Sequence, residues 1–173
     1  IAVFAKSMAN GYAMAAILGT EEVMQAAQST FVSSTNWTER IGPTAALATL
    51  KKYQETQTDK HIISIGNKTQ QIWRDAALKA SLQVDVTGLP TLSAFGFKSD
   101  KSMELNTRFS IEMLQRGFLG FRQFKPSLAH GDAELNKYKN AVEDVFLLLS
   151  KLPNDEIISS PVAHTGLHRL TKE

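Results

Sequence analysis

Apolar and polar positions divide the chain into short strand-like runs and longer helical stretches. Residues 1–4 are apolar, with Ala5 behind them, and end at Lys6. A small-residue turn, Met8-Ala9-Asn10-Gly11, follows, and then a second apolar run, Met14-Ala15-Ala16-Ile17-Leu18-Gly19. This pattern predicts a buried strand, a turn and a second buried strand. Thr20 ahead of Glu21-Glu22 predicts a capped helix over residues 21–28. Residues 29–43 are polar and irregular, rich in hydroxyls, with Trp37, Glu39 and Arg40. Pro43 suits the first turn of the helix that follows, over residues 44–56, with Ala45, Ala46, Leu47 and Leu50 on its apolar face.

The polar residues 54–60 suggest a junction. Beyond it, residues 61–66 form a short apolar run. Asn67 is the expected cap of a helix over residues 68–81 that carries Ile72, Trp73, Ala76 and Ala77 on one face. Residues 82–86 and 91–98 alternate as paired strands should, across a turn at Gly88-Leu89-Pro90. Residues 105–116 read as a helix stopped by Gly117. A last helix, over residues 133–152, takes Asp132 as its cap and buries Leu135, Tyr138, Ala141, Val142, Val145, Phe146 and Leu149. The end of the chain, 160–170, is polar and has no packing period.

Composition narrows the class. The chain has 173 residues, 43% hydrophobic and 21% charged, with a net charge of +2 and no cysteine. That is an ordinary globular composition, with no disulfide or thiol chemistry and no reason to expect nucleic acid or a membrane as partner. A cytoplasmic protein is the expectation. Three histidines, His130, His164 and His168, lie late in the chain at a spacing that matches no metal motif. No phosphate-binding loop, dinucleotide fingerprint or nucleophile elbow is present.

Lys6 is the chemical candidate. A lysine at the tip of a buried strand is costly to bury unless neutralised, and a desolvated amine is a good Schiff-base nucleophile. The plain alternative is a solvated strand end. In the 29–43 loop, hydroxyls beside a helix N-terminus offer an anion site, with a capping loop around a packed tryptophan as the alternative. Glu39 and Arg40 suit either a mutual ion pair or a substrate contact. Arg108 and Arg116 have the chemistry of carboxylate ligands or of solvated helix charges. His130 is a candidate acid or base, or a loop residue near a cap.

The words Phe4-Ala5-Lys6-Ser7-Met8-Ala9-Asn10-Gly11-Tyr12 and Met14-Ala15-Ala16-Ile17 resemble the cofactor-lysine segment of class III pyridoxal-phosphate (PLP) aminotransferases. The branch they resemble most is that of glutamate-1-semialdehyde 2,1-aminomutase. Ala9-Asn10-Gly11 replaces the more usual glycine triplet, and Ala13 stands where proline is common. Ser33-Ser34-Thr35-Asn36-Trp37-Thr38-Glu39-Arg40-Ile41-Gly42-Pro43 resembles the family's next loop, as do Thr107-Arg108-Phe109 and Phe124-Lys125-Pro126-Ser127-Leu128-Ala129-His130 its small domain.

The resemblance implies an α/β chain that is the C-terminal part of a PLP-dependent transferase of aspartate-aminotransferase-like fold (fold type I). Residues 1–52 would finish the large cofactor domain, and 53–173 would form the small α+β domain. It implies that Lys6 is both catalytic and cofactor-binding, holding PLP as a Schiff base and moving a proton. It implies that Thr38, with Thr35 as the other choice, meets the cofactor phosphate from a neighbouring subunit. The implied partners are an amino donor and an amino acceptor, in a homodimer with shared active sites. The family's remaining cofactor contacts match no segment here, so the chain alone is expected to be inactive. An aminomutase and a non-catalytic dimerisation module remain the alternatives to an aminotransferase.

Overall fold

A computed structural model of the chain describes residues 1–33, 35–153, 155–158 and 160–163. The reading of residues 164–170, including His164 and His168, lies outside the described residues. The chain divides into two compact units, Ile1–Thr58 and Asp59–Glu173.

In the first unit, β1 (Ala2–Phe4) pairs antiparallel with β2 (Ala16–Leu18), with Val3 opposite Ile17. Both strands were expected to be buried, and both are largely exposed: Val3 is 67% accessible and Ile17 56%. The apolar alternation forms the ribbon, but a two-stranded ribbon buries little unless another layer covers it. The next helix, α1 (Glu21–Gln25), is shorter than expected and passes into a 3₁₀ turn at Ala26–Ser29. Thr20 occupies its N-cap position, but its hydroxyl makes no capping hydrogen bond.

The long helix of this unit, α2 (Ile41–Glu55), begins three residues earlier than Pro43 suggested. Glu39 explains the early start. Its carboxylate accepts the N–H groups of Ile41 and, at 2.9 Å, of Gly42. Those hydrogen bonds, that from Gly42 foremost, hold the Glu39 carboxyl below its usual range. Glu39 is thus a helix clamp, a role that the alternatives of an ion pair with Arg40 or a substrate contact did not include.

The second unit holds the main core. α3 (Thr58–Lys79) runs unbroken through residues 61–66, so Asn67 lies inside the helix and caps nothing. Gly66 does not break α3, because it serves a close approach: a Cβ there would lie 1.8 Å from the Pro90 carbonyl oxygen. β3 (Val84–Thr87), β4 (Ser93–Phe97) and β5 (Gln123–Phe124) form an antiparallel sheet in the order β3-β4-β5. The strand at residues 123–124 was not foreseen. Ser93, Phe95 and Phe97 alternate onto one buried face. α3, α4 (Ser102–Gln115) and α5 (Asp132–Leu149) supply the residues that pack there.

Phe95 is the centre of this packing. Its ring lies 4.9 Å from Trp73 of α3, 5.1 Å from Phe109 of α4 and 5.6 Å from Phe146 of α5. Gln70 ties α3 to the sheet, donating to Ser93 Oγ at 3.0 Å. α5 is capped by Gly131, whose N–H is accepted by Glu134 at 3.0 Å. Asp132, the expected cap, is the first helical residue and instead bonds Lys68 at 2.7 Å.

Arg108 and Arg116 have a partner inside the fold. Glu112, 5% exposed, accepts from Arg108 Nε at 2.8 Å and from Arg116 Nη1 at 2.7 Å. Both arginines sit four residues away along α4, one on each side, where helical geometry makes them neighbours. Arg108 also reaches the Ile157 carbonyl at 3.5 Å. Burial pushes the Glu112 carboxyl upward, but the two arginines outweigh it and the net direction is down. A carboxyl lowered on folding stabilises the fold above its unfolded value, near 4.5, and loses that contribution as pH falls below it. Glu112→Gln should therefore cost about 1–3 kcal/mol at neutral pH, the partial exposure of the arginines favouring the lower end. Urea titrations at pH 7 and pH 3 should show the gap between variant and wild type closing on acidification. A gap independent of pH would contradict this role.

Candidate functional site

Lys6 follows β1 and opens a 3₁₀ turn, Lys6–Met8. Ala5 before it is extended, and Lys6 itself adopts a left-handed φ of +56°. Non-glycine residues adopt this conformation seldom, and where they do they cluster at functional sites. The turn continues through Asn10 at +48° and Gly11 at +111°. Small side chains permit so tight a path, and Ala9, 1% exposed, anchors it. Lys6 is exposed, like the strand it ends. The described residues therefore supply no desolvation at this position, in contrast with the buried strand end considered from the sequence.

The turn after Lys6 packs against the start of α2. Gly42 makes this possible, because a Cβ there would lie 2.5 Å from the Ala13 carbonyl oxygen. This contact brings the Lys6 segment and the 35–43 loop together within one unit. Thr35 and Thr38 lie on the exposed turn that leads into Glu39. Trp37 is 69% exposed, so the described residues do not pack it.

The amides at the start of α2 are committed. Those of Ile41 and Gly42 go to Glu39, residue 43 is proline, and Thr44 N–H goes to the Arg40 carbonyl at 3.1 Å. The amides of Ile41, Gly42 and Thr44 are thus taken, and the groups in the loop that could still meet an anion include the hydroxyls of Thr35 and Thr38 and the exposed Arg40 guanidinium. Glu39 is the residue that sequence reasoning undervalued. Its signal was a carboxylate two and three residues before Ile41 and Gly42.

The other candidates lie elsewhere. Arg108 and Arg116 are in the second unit, bound to Glu112. His130, also there, has its Nδ1 on the Ser127 N–H at 3.0 Å and its carbonyl 3.0 Å from His61 Nε2. Its position before α5 is that of the loop histidine near a cap. Among the described residues no group of three or more His, Asp or Glu side chains is arranged to hold a metal ion. Among the same residues no helix is long and apolar enough to cross a membrane.

The fold is that of PLP-dependent transaminases. The FumI protein of Sphingopyxis sp. MTA144, solved in its PLP internal aldimine form, matches 82% of this chain and 35% of its own, with a TM-score of 0.75 and 22% identity. A transaminase solved with PLP bound matches 87% of this chain and 39% of its own, with a TM-score of 0.72 and 18% identity. The α/β fold class expected from the sequence is borne out by these two structures. Among curated proteins, the 3-aminobutyryl-CoA aminotransferase of Cloacimonas acidaminovorans (strain Evry) is 27% identical over 75% of this chain and 34% of its own length. The aminopentol aminotransferase of Sphingopyxis macrogoltabida is 24% identical over 68% of this chain and 28% of its own. The chain thus spans about a third of the length of the curated relatives it matches. No protein-family model matches it.

Proposed function

We propose that the chain is part of a PLP-dependent aminotransferase, with Lys6 as the residue that holds the cofactor. The observation that carries this reading is the fold, shared over 82% of the chain with a PLP-bound protein. The left-handed Lys6 at the end of β1 supports it, as does the similarity to two aminotransferases.

The donor set of the first unit suits the cofactor's chemistry. A primary amine can bond an aldehyde, and the hydroxyls of Thr38 and Thr35 can hydrogen-bond a phosphate. When bound, PLP supplies the electron sink that makes a carbon next to an amine acidic. Lys6 Nζ would hold it and then, released by the substrate's amine, carry a proton to and from the substrate carbon. Thr38, or else Thr35, would donate its hydroxyl to the phosphate of the cofactor held by a neighbouring subunit's lysine. Glu39 keeps the Ile41 and Gly42 amides occupied, so these do not supply that contact.

We assign residues 1–52 to the cofactor domain and 53–173 to the small domain of a longer polypeptide. The exposed apolar ribbon, with Phe31 at 95% and Trp37 at 69% exposure, supports a covering layer from that polypeptide or from a second subunit of a homodimer. The chain alone is then inactive, since one amine and two hydroxyls hold little of a cofactor.

Within this reading the segment around Lys6 favours class III. It also keeps a second reaction in view, an aminomutase that moves the amino group within one molecule. Both use Lys6 in the same way and differ in their need for an acceptor. Turnover of the complete polypeptide should stop when the keto-acid or aldehyde acceptor is left out and return when it is added. Turnover without any acceptor would favour the mutase. No PLP-dependent turnover with any amine would leave only the non-catalytic module.

A further inference from the structure

The second unit contains a cleft of about 310 Å³ that the reading above does not use. Its walls are Phe118, Phe121, Phe124 and Tyr138, with Lys125 and His130 among its polar lining. α4 ends at Gly117, at a φ of +83°, in a turn that returns the Phe118 N–H to the Met113 carbonyl at 2.9 Å. That is the helix-ending arrangement in which glycine accepts the left-handed position. Gly120 then runs against Met113, where a Cβ would lie 2.5 Å from the Met113 Cβ. The loop is thereby held against α4 until β5 pairs with β4 at Ser93 and Phe124.

The aromatic walls are braced. Phe118 and Phe124 each lie 5.8 Å from Tyr138, and Phe124 lies 5.0 Å from His130. Tyr138 accepts the Trp73 indole N–H at 2.9 Å, and burial holds its phenol in the protonated form. His130 is fixed through Nδ1, which accepts the Ser127 N–H, so its neutral ring carries the proton on Nε2 as a donor. At the mouth, Leu119 is 96% exposed and Phe121 49%.

The charge around the cleft is one-sided. Lys125 lines it beside the His130 donor, no carboxylate does, and the Arg122 guanidinium sits 5.7 Å over the Phe121 ring. The acids nearest His130 in sequence are already engaged, Asp132 with Lys68 and Glu134 with the Gly131 N–H. Aromatic walls with a few donors and no acceptor charge define the kind of ligand that fits.

We propose that this cleft binds a small monocarboxylate with a compact apolar body the size of a phenyl ring. The body lies among Phe118, Phe121 and Phe124, and the carboxylate meets Lys125 and His130. Such a ligand pairs its charge with the Lys125 ammonium, accepts from the His130 Nε2–H, and removes exposed aromatic surface from water.

The test is an amide chemical-shift titration of the full chain with 3-phenylpropionate, beside 3-phenylpropanol and acetate. Saturable shifts confined to residues 118–131 are expected, with a Kd on the order of 0.1–1 mM. The alcohol and acetate should each bind about tenfold more weakly. Lys125→Gln, at an exposed position, should weaken the acid about tenfold and leave the alcohol unchanged. An absence of saturation, shifts that map elsewhere, or equal affinity for acid and alcohol would overturn the proposal. Neither PLP nor Lys6 takes part, so a failure here is distinguishable from a failure of the aminotransferase reading.

Discussion

Replacing Trp73 with alanine removes about 3–5 kcal/mol from the stability of the second unit. Trp73 is fully buried, stacks 4.9 Å from Phe95 and donates to Tyr138 at 2.9 Å. The substitution loses the transfer energy of a large side chain and leaves a cavity between α3 and the sheet. It also strips the buried Tyr138 oxygen of its donor. Trp73→Phe separates these contributions, because it keeps a ring and loses only the indole N–H and some volume; about 1–2 kcal/mol is expected. Urea unfolding followed by near-UV circular dichroism reads both. A loss below 1 kcal/mol for the alanine variant would mean that Phe95 and its neighbours close the gap, and that Trp73 is not central to the core.

On the proposed aminotransferase reading, Lys6→Ala in the full-length protein should lower turnover by about 10²–10⁴-fold or more. Lys6→Arg keeps the positive charge but removes a nucleophilic amine, and it should be as inactive as alanine. The position is exposed, so neither variant should alter the unfolding of the second unit. Activity retained in the arginine variant would assign Lys6 a purely electrostatic role.

Much of the second unit was legible because its signals are local. The stripe at Ile72, Trp73, Ala76 and Ala77 has helical spacing and is buried as that spacing predicts. The alternation through Ser93, Phe95 and Phe97 places all three on one face. Errors arose where a residue serves a distant partner. Asn67 looks like a cap after a short apolar run, yet α3 runs through it, and Gly66 packs against the Pro90 carbonyl on another segment. Arg108 and Arg116, read as carboxylate ligands or as solvated helix charges, instead hold the buried Glu112, four residues from each.

The first unit was legible in outline and misread in burial. Apolar alternation specifies a strand but not what covers it, and β1 and β2 stand open. The same holds for the candidate site. The turn after Lys6 and its contact with Gly42 follow from small residues that the sequence displays. The capture of the α2 amides by Glu39 does not, because acidic loop residues are more often solvated than clamped.

The central claim is that Lys6 holds a carbonyl cofactor. The direct measurement is borohydride reduction of the complete polypeptide in the presence of PLP, followed by peptide mass mapping. The account predicts a pyridoxyl group on the peptide that contains Lys6, and none in the Lys6→Ala variant. A folded polypeptide with Lys6 unmodified would contradict it.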